Sequence, residues 1–363
     1  MAKKKIKVGV LFGGKSAEHE VSLQSAHNVI GALDKEKYEV VPIGINKDGK
    51  WLLSNAYNYL LHSEDPKLIR LNKSDKEVLL IIQGAGVLAN PYGREIHGKI
   101  DVIFPVLHGP YGEDGSIQGL LKLAGVPFVG ASVLGSAIGM DKDVMKRLLK
   151  EAGIPVAKFV VVHKGERPSF KKITNILGSP VFIKPANLGS SVGINKVRNE
   201  KEFKNARRDA FQYDSKILIE HAIAGREIEC SVLGNEKPIA SWPGEVIPKH
   251  EFYSYEAKYL DENGATFEIP AKLPKETLKK IREMAVETFR VLGCEGMGRV
   301  DFFLKKNGDV LVNEINTIPG FTAISMYPKL WEASGISYSD LLDKLIQLAI
   351  KRFRRDQKLK SSI

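Results

Sequence analysis

The stretch Gly298-Arg-Val-Asp-Phe-Phe-Leu-Lys-Lys-Asn-Gly-Asp-Val-Leu-Val-Asn-Glu-Ile-Asn-Thr-Ile-Pro-Gly320 reads as a β-hairpin. Two runs rich in Val, Phe and Ile flank Asn307-Gly308, the strongest short signal for a two-residue type I′ turn. With that turn Lys306 pairs with Asp309, which sets Asp301 opposite Glu314 and Arg299 opposite Asn316. Side chains alternate along a strand, so these four polar groups gather on one face of the pair. The other face takes Val300, Phe302, Leu304, Leu311 and Ile315, with Asn313, opposite Phe302, as its one polar member.

Two carboxylates directly opposite each other repel by about 0.2–1 kcal/mol in an open sheet. A cation between them turns that cost into a ligand set. Asp301, Glu314 and the Asn316 amide offer only oxygen, which suits Mg²⁺ or Mn²⁺ and not zinc. The plainer alternative is a solvated outer face of an edge hairpin. The Asn-Thr-Ile-Pro-Gly320 tail favours a site, because a glycine just beyond the acids lets backbone approach a ligand closely.

The chain of 363 residues has room for two or three domains. At 43% hydrophobic and 27% charged it has a globular composition. No apolar run approaches the roughly 18–20 residues of a membrane helix, and the basic start Met1 to Val8 lacks the apolar core of a signal peptide. Cys230 and Cys294 stand alone without metal spacing, which points to a reducing, cytoplasmic setting. The formal charge of +11 invites a nucleic-acid reading. Part of it sits at the two ends, Lys3 to Lys7 and Lys351 to Lys360, where charge is ordinarily solvated. There is no zinc-finger spacing and no RNP-like aromatic motif, and an enzyme handling polyphosphate explains the interior lysines equally well.

Taken in order, Lys5 to Phe12 is an apolar strand, and a helix with Leu23, Ala26, Ile30 and Leu33 on one face follows Gly13-Gly14. Gly9-Val-Leu-Phe-Gly-Gly-Lys15-Ser16 matches the Walker A pattern, but Gly9 lies inside the strand and no helix starts at Lys15-Ser16, so a P-loop has no context here. Strands are expected at 38–45, 101–107 and 126–129, with a helix at 116–124. Residues 47–98 are less regular. Glu18 and His108 fall beyond the carboxyl ends of strands, where α/β sheets bind ligands. Asp141 to Ala152 is a helix with Val144, Met145, Leu148, Leu149 and Ala152 inward. Lys142 sits in its first turn, against the helix dipole, and is either a surface lysine or directed at an anion. Lys184 ends the strand 180–185. The loop Ala186 to Gly193, before a strand at 194–197, has backbone N–H groups and hydroxyls suited to covering phosphates. Further strands are expected at 216–220 and 226–233, helices at 277–292 and 339–352, and a long aromatic loop, 249–270, with Tyr253, Tyr255 and Tyr259.

A phosphate-covering loop, paired lysines and an Asp…Glu-x-Asn hairpin together resemble the ATP-grasp superfamily. Gly-Gly-Lys-Ser-Ala-Glu18-His-Glu, His108-Gly-x-x-Gly-Glu-Asp-Gly, Gly-Ser190-Ser-Val-Gly, Tyr-Glu-Ala-Lys-Tyr259, Gly-Arg299-Val-Asp301 and Asn-Glu314-Ile-Asn316-Thr-Ile-Pro-Gly320 stand in the order of the D-alanine–D-alanine ligases, over essentially the whole chain. The resemblance implies a three-domain α/β fold: a Rossmann-like substrate domain at 1–130, a central ATP-grasp part at 131–224, and a C-terminal part at 225–363 with the metal site and a lid. It implies ATP and two D-alanines as substrates, two Mg²⁺ or Mn²⁺, a homodimer, and a product for peptidoglycan synthesis. Lys142, Lys184 and Lys258 would meet phosphates, under the loop with Gly189, Ser190 and Ser191. Glu220 and Glu227 would hold adenine and ribose, and the backbone at Ala222 and Ile223 would read the adenine edge. Asp301, Glu314 and Asn316 would bind the metals. Glu18 would take the first ammonium, in a triad with Ser190 and Tyr259. His108 would stand beside that substrate, Arg299 and the Gly320 N–H would stabilise an oxyanion, and Ser325 would hold the second carboxylate. The alternatives are ester formation with D-lactate, a P-loop NTPase and a nucleic-acid module.

Overall fold

The computed structural model describes residues 4–55, 58–74, 76–82, 84–248 and 264–360. β1 (Ile6–Gly13) is apolar almost without alternation and is buried on both faces, the mark of a central parallel strand. It pairs in parallel with β2 (Tyr38–Ile45), and α1 (His19–Ala32) connects the two. β3 (Trp51–Leu53) extends that sheet antiparallel. Residues 60–97 form only two- and three-residue strands: β4 (Leu60–Leu61), β5 (Arg70–Leu71), β6 (Leu79–Leu80), β7 (Leu88–Ala89) and β8 (Glu95–His97). β9 (Val102–Val106) returns on the other side of β1, giving the order β3-β2-β1-β9. The carboxyl ends of β1 and β9 are therefore neighbours. The expected strand at 126–129 is reduced to one parallel bridge, Ile103 to Phe128. α2 (Ser116–Leu123), α3 (Val133–Met140) and α4 (Lys142–Glu151) follow.

The second sheet is wholly antiparallel: β10 (Phe159–His163), β11 (Val181–Pro185), β12 (Asn195–Val197) and β13 (Lys216–His221), ordered β10-β13-β11-β12, with α5 (Phe170–Leu177) and α6 (Glu200–Ala210) against it. The third carries β14 (Gly225–Gly234), β15 (Ile239–Ala240), β16 (Gly244–Pro248), β17 (Ala265–Glu268), β18 (Gly296–Lys305) and β19 (Val310–Asn316), along the path β17-β16-β14-β18-β19. β17 lies inside the stretch expected to be loop up to residue 270. α7 (Lys275–Val291) packs Ile281, Ala285 and Phe289 under this sheet, together with Met145 and Leu149 of α4. α8 (Met326–Ala333) and α9 (Tyr338–Asp356) close the chain against the first sheet, where Tyr327, Trp331 and Leu345 share one core with Val8 and Phe104.

Two expectations about charge change here. α9 runs four residues past 352, and its Arg352 is buried, donating to the carbonyls of Gly130 (2.6 Å) and Phe128 (2.8 Å). That cation anchors the last helix and is no solvated tail. In α4, Val144 is exposed and Ala152 lies outside, whereas Lys142, Asp143 and Lys146 are buried with Met145 and Leu149. The helix is turned by its polar face toward a site, and hydrophobic periodicity alone misplaces it.

Candidate active site

In the hairpin β18–β19, Arg299 faces Asn316 and Asp301 faces Glu314, as the sequence predicts, but by another route. The tip is a three-residue turn: Lys305 pairs with Asp309, and Gly308 takes a left-handed φ of 85°. This shifts the register by one, so Phe302 faces Val312 and Leu304 faces Val310. A bulge between Asp301 and Phe302 then shifts it back. Val310 and Val312, not Leu311, therefore join the core, and Asn313 lines a cleft together with Glu314 instead of facing Phe302.

β14 adds a third acid to the row. Glu229 pairs with Asp301 across β14–β18, giving Glu229, Asp301 and Glu314 side by side on three strands. The Arg299 guanidinium holds two of them, with Nε 2.7 Å from Asp301 and 2.8 Å from Glu229. The Asn316 amide reaches Asp301 at 3.0 Å. Lys142 lies 3.6 Å from Glu314 and donates to the Leu188 carbonyl at 2.8 Å. It is 5% exposed, which removes the reading as a surface lysine. Asp301, Glu314 and the Asn316 amide carry the oxygens a divalent cation takes, but both Asp301 oxygens accept from Arg299 and the Asn316 Nδ2 donates to Asp301, so a cation would compete with these contacts. Glu229 escapes the sequence reading, although its spacing of two from Glu227 puts both on one face.

A chamber of 110 Å³ adjoins this row, lined by Glu18, His108, Arg299, Gly320 and Ser325 among others. Ser190, from the loop between β11 and β12, donates its hydroxyl to the Glu18 carboxylate, so the first and second sheets meet at this bond. His108 is wedged between the Ile318 carbonyl (3.0 Å from Nδ1) and the Ser25 hydroxyl (3.3 Å from Nε2). Burial pushes its imidazole below the ordinary value, against the pull of Glu18, so the ring is neutral. A Cβ at Gly320 would lie 2.7 Å from the Ser325 hydroxyl, which would then have to move. Ser325 stands at the N-cap of α8, its oxygen accepting from the Thr322 N–H at 2.9 Å. A further acid, Glu113, hides in the His108-to-Gly115 motif. Its carboxyl accepts from Gly109 (2.8 Å) and Ile318 (3.0 Å), and burial next to Glu18 raises it to about 8.

The larger cleft, 570 Å³, lies between the second and third sheets. Lys142, Lys184, Gly189, Ser190, Ser191, Glu220, Ala222, Ile223 and Glu227 all line it. The loop above it holds Ser190 and Ser191 at φ of 52° and 61°, a left-handed conformation that side-chain-bearing residues adopt only under constraint. Of the two peptides expected to read adenine, the Ala222 N–H already donates to Pro180. Glu220 is held by Lys184 at 2.6 Å and by Lys146, a residue the sequence reading passes over, at 3.1 Å. Burial works to raise the Glu220 carboxyl, and Lys146 and Lys184 outweigh it, so the group stays ionised. Lys146 lies four residues beyond Lys142 on α4, and that spacing is the signal that finds it. Lys258 and Tyr259, with Tyr253 and Tyr255, lie outside the described residues. The Walker-like Gly9 is inside β1, where a Cβ would meet Ile103 at 2.7 Å, and α1 begins only at His19, which excludes a P-loop.

Family models described as D-ala D-ala ligase N-terminus and C-terminus match residues 7–131 and 148–347. A D-alanine–D-alanine ligase of Oceanobacillus iheyensis is 56% identical over 362 residues, covering 99% of both chains. The D-alanine-D-alanine ligase structure from Coxiella burnetii superposes with a TM-score of 0.86 at 40% identity, over 98% of this chain and 97% of that one. The VanG D-Ala:D-Ser ligase of Enterococcus faecalis gives 0.84 at 39% identity, over 95% of this chain and all of that one (100%). Matched from end to end in sequence, fold and motif order, the chain belongs to the D-alanine–D-alanine ligase family.

Proposed function

We propose that this chain joins two D-alanines at the expense of ATP, with a D-alanyl phosphate between the two half-reactions. One observation carries the assignment of the site: Gly189, Ser190 and Glu314 line both the large cleft and the small chamber, so the two spaces meet at a loop and an acid. A nucleotide in the cleft, phosphates toward Lys142 and Lys184, would present its γ-phosphoryl to a carboxylate in the chamber. The carboxylate oxygen attacks phosphorus and ADP leaves. The amine of the second D-alanine then attacks the acyl carbon, loses a proton, and expels phosphate. The products are the dipeptide, ADP and phosphate.

Each residue has a place in this reading. Glu18, fixed by Ser190, takes the first ammonium, with neutral His108 beside it. Arg299 and the Gly320 N–H face the oxyanion, and Ser325 at a helix N-terminus takes the second carboxylate. Glu220, Glu227, Ala222 and Ile223 hold the nucleoside. Lys142, Lys184 and, by resemblance, Lys258 neutralise phosphate charge while Gly189 to Ser191 cover it. Asp301, Glu314 and Asn316 would hold Mg²⁺ or Mn²⁺, which when bound would offset phosphate charge. We extend this to a division near residues 130 and 224, supported by the three largest sheets, to a cytoplasmic protein, and, on the resemblance alone, to a homodimer whose mass sedimentation would read. Among the described residues no helix is long and apolar enough to cross a membrane.

The test is phosphate release with and without D-alanine, with the product identified by mass. Release that ignores D-alanine sinks the assignment. A competition among D-alanine, D-serine and D-lactate fixes the acceptor. Dipeptide is expected from this chain, and Tyr259→Phe is expected to let D-lactate compete better. An unchanged product ratio removes Tyr259 from acceptor selection.

A further inference from the structure

Lys146 is fully buried, does not line the cleft, and has no part in the reaction as derived above. Its place behind Glu220 is nonetheless specific. Glu220 meets two ammonium groups on different oxygens: Lys184 on Oε2 at 2.6 Å and Lys146 on Oε1 at 3.1 Å. Lys184 and Glu220 border the cleft, whereas Lys146 lies beneath. Among the described residues Glu220 is the one carboxylate within ion-pair distance of Lys146.

This matters once a polyphosphate enters. On the reading above, which this inference deepens and on which it rests, Lys184 turns to phosphate oxygens. Glu220 would then lose its closer counter-charge, and an unpaired buried carboxylate is strongly disfavoured. In the absence of Lys146, Glu220 and Lys184 would hold each other, and the nucleotide would have to break that pair. We propose that Lys146 is a positioning residue, a permanent counter-ion that keeps Glu220 in place and so releases Lys184 to the nucleotide phosphates. Because the two lysines use different oxygens, Lys184 departs without disturbing the Lys146–Glu220 contact. The ammonium of Lys146 is pushed down by burial and supported by Glu220, so the pair is mutually dependent. The consequence is a coupling: Lys146 matters to ATP only while Glu220 carries its charge.

The test is a double-mutant cycle on the full chain, with ATP affinity by calorimetry and KM for ATP and D-alanine read separately. Unsubstituted protein that binds no ATP overturns the nucleotide reading itself, before Lys146 is at issue. If it does bind, Lys146→Met is expected to weaken ATP about tenfold or more, with KM for D-alanine unmoved. In the Glu220→Gln background the same change is expected to weaken ATP less than about twofold. A purely structural lysine would give equal losses in both backgrounds, and that result, or no loss in either, overturns the inference. Should Lys146→Met fail to fold, the Lys146→Met/Glu220→Gln protein decides, since it removes both charges of that pair and leaves only Lys184, which borders the cleft. It must bind ATP as Glu220→Gln does, and binding tenfold weaker refutes the proposal.

Discussion

Two charge clusters flank the site, a half-buried one dominated by acids and a buried one dominated by cations. Among the described residues, the hairpin side sets Glu229, Asp301 and Glu314 in a row beside Arg299 and Lys142. The β13 side sets Lys146 and Lys184 around Glu220. The sign that dominates each side favours a ligand group of the opposite sign. The acidic row is suited to a metal cation, and the basic trio to phosphate. On the proposed function a metal–nucleotide complex, which carries both signs, would lie across the pair. Lys142 belongs to both sides, since it leans on Glu314 while donating to the Leu188 carbonyl in the loop between β11 and β12.

The comparison breaks most visibly at Glu314. Glu314→Ala should lower kcat by about 10³-fold, because charge neutralisation at a phosphoryl group is worth several kcal/mol. Its thermal unfolding should stay near that of the unsubstituted protein, since one member of a facing acid pair is removed. Near-normal turnover at ordinary Mg²⁺ would show that the acidic row is only structure. On the basic side Lys184→Ala should weaken ATP by about 10- to 100-fold, the value of a charge-assisted contact. Lys15→Ala, in the Walker-like decoy, should change it less than about twofold. The reverse order, with folded proteins, would restore the P-loop. Ser190→Ala, at the junction, should cost about tenfold in kcat/KM by leaving Glu18 without that donor. An equal rate would uncouple loop from substrate.

A pH dependence follows from an acid that belongs to neither cluster. Glu113 is raised by burial from an ordinary 4.5 to about 8. The folded state therefore keeps a proton that the unfolded state has lost, and this contribution is full below pH 4.5 and fades as pH rises through about 8. Glu113→Gln lacks that dependence, so its melting temperature should gain on that of the unsubstituted protein between those limits. Parallel pH profiles would show that Glu113 is ionised throughout.

What the sequence disclosed follows from which physics is local. Asn307-Gly308 marked the hairpin because turn chemistry is local, but Asp301 meets Glu314 only because a bulge undoes the slip of the three-residue tip, and that compensation is not legible locally; β1, β2 and β9 announced themselves by continuous apolar runs. β10, α5 and α6 were not read. α6 buries only Phe203, Ala206 and Ala210 among charged neighbours, too sparse a stripe to set a period. Lys146, Glu113 and Glu229 were missed for a different reason. A charged residue on a helix or strand looks solvated until tertiary structure brings it a partner, and those partners, Glu220, the N–H groups of Gly109 and Ile318, and Arg299, are remote or non-adjacent in the chain.

The bulge beside Asp301 has a consequence for how the hairpin tolerates change. Its three-residue tip and its extra residue at Asn313 amount to one spelling of the pairing; a two-residue tip with no bulge is another. Both place Asp301 opposite Glu314. The message at the root of the hairpin is thus redundant with respect to its tip, as two codons are for one amino acid. What separates the spellings is which residues turn inward: Leu311 and Asn313 in the unbulged form, Val310 and Val312 in the observed one. A slip at the exposed end is silent at the acids, and keeping the Asn313 amide out of the core favours the version that is written.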